Sequence, residues 1–330
     1  MKPVEDVFSS DVFRRVVLPG IVLTAGFHPL MYSRLQSVTS LYGIGATALV
    51  VAEIVVLGLA ASSAIQWIYY VYEGFRLEWL TSLAWRMNRA RVQRLQTEWR
   101  TIQAERDFEA LSPSEQARVS RIYEYLLDFP LTVKKGNSPE HIAERPTRLG
   151  NIIATYELYT ESRYGIDGTY FWNHFLTLAS DSSRKGFEDT YAFAESLVLA
   201  SFAGALVALL HISVLVGFGV GAIDHSLILF HVLSGPSASC WLVLFGVLVW
   251  FAFYQASLPA HREAGAALRA IVDAVLPKFV EWAKSVQVPL PDDTLKTIEA
   301  LNEYLKGLAG PTRTPPARRL HPRAARAKKR

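Results

Sequence analysis

Four residues of this chain could do chemistry where it is least expected. Glu53 is the one charge in an apolar run over 43–72, and His211 interrupts a second run, 197–223, together with Ser201 and Ser213. His28 and His231 lie in two further apolar stretches. An ionisable group at bilayer depth is costly, so it ordinarily faces protein or water and carries a pathway or a relay. A carboxyl beside imidazoles suits a proton relay, an ion path or a metal site. The same groups also suit a plain hydrogen bond between helices, with Glu53 neutral. At about 1.5 Å per residue, Glu53 and His211 both fall roughly 15–18 Å below the outer ends of their runs, near the bilayer midplane. That depth predicts that the two pair, with His28 and His231 closer to the same surface.

The elements that must position these groups are membrane spans. About 20 apolar residues in a helix cross the hydrocarbon core. Four segments qualify: 16–32, which is short and holds Pro19 and Pro29; 43–72, ending in Trp67, Tyr69, Tyr70 and Tyr72; 192–223; and 227–254. The last is divided by Ser234-Gly235-Pro236. Its part 240–258 is long enough to cross alone, which leaves 224–239 as a re-entrant or external loop. Lys and Arg crowd one set of span ends, among them Lys2, Arg14, Arg15, Arg76, Arg86, Arg89, Arg184, Lys185 and Arg262, against Arg34 alone on the other. Positive charge stays inside, so both termini and the long loop 73–190 are expected in the cytoplasm.

Composition agrees with this class. Of 330 residues 51% are hydrophobic and only 19% charged, against roughly 25% charged in a soluble domain. The expected layout is a cytoplasmic N-terminus (1–15), spans one and two (16–72), a helical cytoplasmic domain (73–190), spans three and four (191–258), C-terminal cytoplasmic helices (259–309) and a basic tail (310–330). The tail has eight Lys/Arg, four prolines and no acid. Such a segment is expected to stay unfolded and to contact anionic lipid through residues 311–330.

Within the cytoplasmic part, span two is expected to run on as helix past Glu73. Trp85, Asn88, Val92, Leu95, Trp99 and Ile102 alternate by three and four, the seam of a short coiled coil or of a bundle helix. Ser112-Pro113-Ser114-Glu115 reads as a capping box that opens a helix to about Asp128. Leu149, Ile152, Ile153, Tyr156 and Tyr159 share one helical face, and Gly165 and Gly168 mark a stop and turn. Phe171, Trp172, Phe175 and Leu176 form a second face, aimed at the membrane surface or at helices above it. After the last span, Leu268, Ile271, Val272, Val275, Leu276 and Phe279 make an amphipathic stripe, and a further short helix follows Pro291-Asp292-Asp293.

The stretch 145–180 holds Pro146, Arg148, Leu149, Gly150, Asn151, Glu157, Tyr159, Arg163, Tyr164, Gly165, Ile166, Asp167 and Trp172. In these residues it resembles a family of multi-pass bacterial membrane proteins without an established activity. The resemblance implies a bacterial origin and a membrane setting. It singles out Arg148, Asn151, Glu157, Arg163 and Asp167 as a cytoplasmic motif and brings no catalytic residue with it.

Several functions are excluded on the same page. Cys240 is the sole cysteine, so there is no internal disulfide, and no Cys/His spacing suits a structural zinc. No nucleophile elbow, P-loop or zinc-protease helix is present, and no cofactor is expected. Gly217, Gly219 and Gly221 lie in an apolar run with no strand before them, so they read as helix packing beside Ala200, Gly204 and Ala208. Loop 73–190 carries sixteen Lys/Arg against seventeen Asp/Glu, a near-neutral surface unsuited to nucleic acid. The expectation is an all-α membrane protein with four transmembrane helices and a helical cytoplasmic domain. It acts as a non-enzymatic scaffold with a protein partner or a second copy of itself. The alternative is an oligomeric channel or transporter with Glu53 and His211 in the path.

Overall fold

A computed structural model describes residues 12–42, 45–75, 78–105, 108–132, 140–219 and 236–285. His231, loop 224–235, the short helix after Asp293 and the tail 310–330 lie outside the described residues. In chain order, a π-type turn at Phe13–Val17 leads into α1 (Leu18–Tyr42), α2 (Ala46–Ser63), α3 (Ile65–Glu73), α4 (Glu78–Glu105) and α5 (Pro113–Leu126). Then follow β1 (Leu131–Thr132), β2 (Glu140–His141), α6 (Arg148–Glu157), α7 (Tyr159–Tyr164), α8 (Gly168–Leu178), α9 (Asp181–Gly219) and α10 (Pro236–Ser285). Among the described residues, apart from the two-residue antiparallel pairing of β1 with β2, everything regular is helix. The backbone divides into two compact units, Met1–Glu157 with Ser180–Ile271, and Leu158–Ala179 with Val272–Arg330.

Three described helices, α2, α9 and α10, are long and apolar enough to cross a membrane. In α9, 56% of the most apolar stretch is buried, against 11% in α2 and 17% in α10, so α9 is the central one. The outer two expose Val51, Val55, Val56 and Leu59, and Trp241, Leu244, Leu248 and Phe251. Such stripes are what a helix offers to lipid, whose tails are as apolar as leucine. The first expected span, 16–32, lies in the π-type turn and α1, which pack against both α2 and α9.

Glycines set how near these helices come. A Cβ on Gly20 would strike the Ile54 carbonyl, one on Gly58 the Val16 carbonyl, and one on Gly26 the Val207 side chain. Between α9 and α10 the contact is backbone to backbone. A Cβ on Gly204 would lie 2.6 Å from the Trp250 nitrogen, and one on Gly246 2.6 Å from the Ala208 nitrogen. The small residues at 200, 204 and 208 therefore serve helix packing, as their spacing predicts.

The second expected span is not one rod. It breaks at Ala64 between α2 and α3, where Ser63 turns its hydroxyl back onto the Ala60 carbonyl at 2.8 Å. Hydroxyls that compete for helix carbonyls are a known cause of kinks. Nor does the helix continue past Glu73. Gly74 adopts a left-handed conformation (φ 88°), and the Phe75 N–H returns to the Tyr70 carbonyl at 2.9 Å. This closes α3 with a glycine cap before α4 starts afresh.

The α4 seam packs inside its own chain. Val92 is buried with Ile122, Leu126, Phe129 and Ala143, and Leu95, Trp99 and Tyr125 lie against that cluster. Asn88 donates to the Pro146 carbonyl. The capping box forms as read: the Glu115 N–H reaches Ser112 Oγ, and the Ser112 N–H reaches the Glu115 carboxylate at 2.9 Å. In the second unit Phe171 and Phe175 pack on Phe279, with ring centroids 5.3 and 4.9 Å away. That face is thus spent on the stripe at the end of α10, not on the membrane surface.

Gly246→Val drives a side chain into the α9 backbone. Overpacking of this kind typically costs about 1–3 kcal/mol, so thermal unfolding in mild detergent should show a marked drop. Gly186→Ala, at an α9 position with open space around it, should hold stability or raise it by up to about 1 kcal/mol.

Candidate functional site

Glu53 pairs with His28, not with His211. Glu53 Oε2 lies 2.8 Å from His28 Nδ1, and the shared proton can rest on either atom. Glu53 Oε1 is buried without a hydrogen bond. His211 is fully buried with both ring nitrogens occupied, Nε2 on the Gly26 carbonyl at 3.0 Å and Nδ1 facing Ser239 Oγ at 3.4 Å. A carbonyl only accepts, so Nε2 carries the hydrogen and Nδ1 accepts from the serine. The cause lies in α1. Gly26 lets Val207 approach, and His211, one turn beyond Val207, then reaches the carbonyl beside the Pro29 interruption. Equal depth brought Glu53 and His211 into one layer in the sequence reading. Helix rotation and the close α1 packing decide the partners.

The densest polar geometry lies where α3 ends. Arg145 is 9% exposed and makes ion pairs with two carboxylates, Glu73 at 2.7 Å and Glu157, while its guanidinium lies 5.5 Å from the Phe75 ring centroid. Asn151, fully buried, holds the loop that carries it. Its Oδ1 accepts the Arg145 N–H at 3.0 Å, and its amide donates to the Arg145 and Thr147 carbonyls at 2.6 Å each. Thr147 donates to the Tyr72 carbonyl and accepts the Gly150 N–H at 2.9 Å, so it both fastens α3 and opens α6. Gly150 and Gly74 are required by closeness: a Cβ on Gly150 would lie 3.0 Å from Glu73 Cα, and one on Gly74 2.7 Å from Pro146. The Arg-Pro-Thr-Arg-Leu-Gly-Asn segment is therefore a joint that seizes the last turn of α3.

A second joint sits beside it. Asp128, fully buried, accepts from Arg148 Nε at 2.6 Å and from Arg262 Nη2 at 2.9 Å, tying α5, α6 and α10 together. In the second unit, Tyr159 and Tyr164 both donate to Asp273 at 2.8 Å, and Arg163 lies over both rings at 5.7 and 5.6 Å. Partial burial, then the Asp273 carboxylate, push the Tyr159 phenol up to about 12, so it remains a donor at ordinary pH. Asp167 gives its carbonyl to the Phe171 N–H at 3.1 Å, starting α8. Of the five motif residues, Arg148, Asn151 and Glu157 meet in the joints of the first unit. Arg163 and Asp167 belong to the second.

Sequence reasoning missed Asp128, Glu73, Arg145 and the Tyr69–His261 contact. His261 is fully buried, its Nδ1 on the Ser257 carbonyl at 2.8 Å and its Nε2 facing the Tyr69 hydroxyl at 3.0 Å. Tyr69 had the look of an interfacial aromatic, and nothing local marks it as a hydrogen-bond donor to a residue 192 positions on. Asp128 does carry a signal, an acid just before the Phe129-Pro130 stop. Among the described residues no group of His, Cys, Asp and Glu could hold a metal ion. The arrangement fastens helices together.

Burial, opposed by Arg145 and assisted by Glu157, lifts the Glu73 carboxyl from 4.5 to about 7. Arg145 lies in contact and favours the charged form, but it is shared with Glu157, so desolvation prevails. A raised carboxyl contributes stability that is complete below pH 4.5 and is lost as pH climbs through about 7. Wild-type stability should fall by up to about 3 kcal/mol between pH 4.5 and 8, and Glu73→Gln should flatten that slope. Thermal unfolding across this range checks it. Arg145→Met leaves two part-buried carboxylates, Glu73 and the more exposed Glu157, without their cation and should cost about 3 kcal/mol at pH 7.5, the low end for a broken buried pair.

Comparison with protein-family models, curated proteins and solved structures finds no match, so function has to be read from the geometry of the chain itself.

Proposed function

We propose that this chain is a multi-pass protein of the bacterial inner membrane that works as a non-enzymatic scaffold. Four spans, α1 included, hold it in the bilayer with both termini inside, and its cytoplasmic helices engage a protein partner or a second copy of the chain. The observation that carries the proposal is the joint at Arg145. The polar residues that stand out in the sequence are spent on locking α3 to the helices that follow. Inside the apolar helices His211 is satisfied by Gly26 and Ser239, as expected of groups that hold a bundle together. The basic tail at 311–330 adds contact with anionic lipid.

The channel reading survives on one observation, the unbonded Glu53 Oε1 beside a proton-sharing imidazole. Four spans enclose no wide pore, so transport needs several copies. Two measurements separate the readings. The purified chain in liposomes should pass neither protons nor potassium above protein-free controls, and Glu53→Gln should change nothing. A flux abolished by Glu53→Gln would replace the scaffold with a channel. A reporter fused after Lys135 should read as cytoplasmic, and an external signal there would invert the layout.

A further inference from the structure

The helices α4 and α5 enclose an open groove of about 480 Å³ lined by Arg91, Leu95, Arg118, Arg121, Ile122 and Tyr125. Three of its six lining residues are arginines. Three guanidinium groups meet there against one carboxylate, Glu98, which Arg118 holds at 2.6 Å. Arg121 turns its Nε to the Ala117 carbonyl at 3.2 Å, which leaves both Nη groups free of that bond. Arg91 lies 4.4 Å from the Tyr125 ring centroid, and Arg148, which shares Asp128 with Arg262, lies 4.8 Å from the same ring. Among the described residues neither Arg91 nor Arg121 has a carboxylate partner. Arginines left uncompensated around an aromatic floor form a fork-shaped site for phosphate oxygens.

Location names the source of that phosphate. This step rests on the membrane layout proposed above. Arg262 lies four residues beyond Leu258, the end of the apolar stretch of α10, or about 6 Å along the helix. The headgroup layer is roughly 5–7 Å deep on each side of the hydrocarbon. The Arg262–Asp128 pair therefore stands at headgroup level, and Tyr125, three residues before Asp128 and under the same Arg148, brings the groove close to it. We propose that the groove bounded by Arg91, Arg118, Arg121 and Tyr125 binds the phosphate headgroup of an anionic phospholipid at the cytoplasmic surface. A basic pocket on the cytoplasmic side of a helical membrane protein is a common device for such lipids.

The test uses the full chain in dodecyl maltoside micelles mixed with phosphatidylglycerol or with phosphatidylcholine, at low ionic strength. Wild type should bind phosphatidylglycerol at least roughly tenfold more tightly than phosphatidylcholine. Arg91→Gln with Arg121→Gln should weaken phosphatidylglycerol binding about fivefold per arginine, about 30-fold in all, without altering the helical circular-dichroism signal. Arg100→Gln with Arg184→Gln removes the same charge elsewhere and should cost less than about threefold. Equal losses in the two double variants, or none in the first, would overturn the site. Free glycerol phosphate binding as tightly as the lipid would make it a soluble-phosphate site and overturn the lipid assignment. None of these readings depends on sidedness in the cell, so failure of the layout shows in the reporter after Lys135 and failure of the groove shows here.

Discussion

One guanidinium between two carboxylates governs how this protein is assembled. Arg145 holds Glu73, the last residue of α3, and Glu157, the last residue of α6. A cation serving two acids in a dry place leaves a net negative charge unless one acid takes up a proton. Burial favours that outcome at Glu73. Everything next to it follows from keeping this group in place: Asn151 fixes the backbone that carries it, Thr147 grips the Tyr72 carbonyl, and two glycines clear the space. A buried ion pair of this kind seldom adds much stability over a hydrophobic replacement. Its value is geometric, because it accepts only one arrangement of the two helix ends.

Inside the apolar helices the same economy appears in another form. Hydrocarbon gives no hydrophobic drive between helices, so association depends on close backbones and on polar groups that find each other. Gly20, Gly26 and Gly58 bring α1 against α2 and α9, and Gly204 with Gly246 brings α9 against α10. His211 can reach Gly26 only because that approach is allowed. Arg15 and Glu195 join the N-terminal turn to α9 at 2.8 Å, so even a cation counted toward sidedness has a structural partner.

Much of the helical layout was legible from sequence because length, hydropathy and capping are local. The capping box at Ser112, the left-handed glycine at 165, the stripe from Leu268 to Phe279 and the small residues of α9 all appear as their spacing implies. The depth of Glu53 and His211 could be counted, but their partners could not. Counting gives height along a helix and says nothing of its azimuth, and here azimuth selects partners 25 and 185 residues away in sequence, His28 for Glu53 and the Gly26 carbonyl for His211. The break at Ala64 escaped notice although Ser62, Ser63 and Gln66 flank it, because three uncharged polar residues do not end an apolar run, and the cap at Gly74 because the run stops only two positions before it. The motif residues were singled out as a string. Only the fold separates Arg148, Asn151 and Glu157, which build the joints, from Arg163, which stacks on two tyrosines elsewhere.

The break at Ala64 divides one apolar run into two rods of unequal duty. The longer, α2, exposes its valines and has few fixed polar ties beyond Glu53 to His28. The shorter, α3, is held at its far end by Thr147 and Arg145. The turn at Ala64 lets the two rods take different directions: α2 follows the close contacts at Gly20 and Gly58 with its N-terminal neighbours, while α3 takes the angle that the joint imposes.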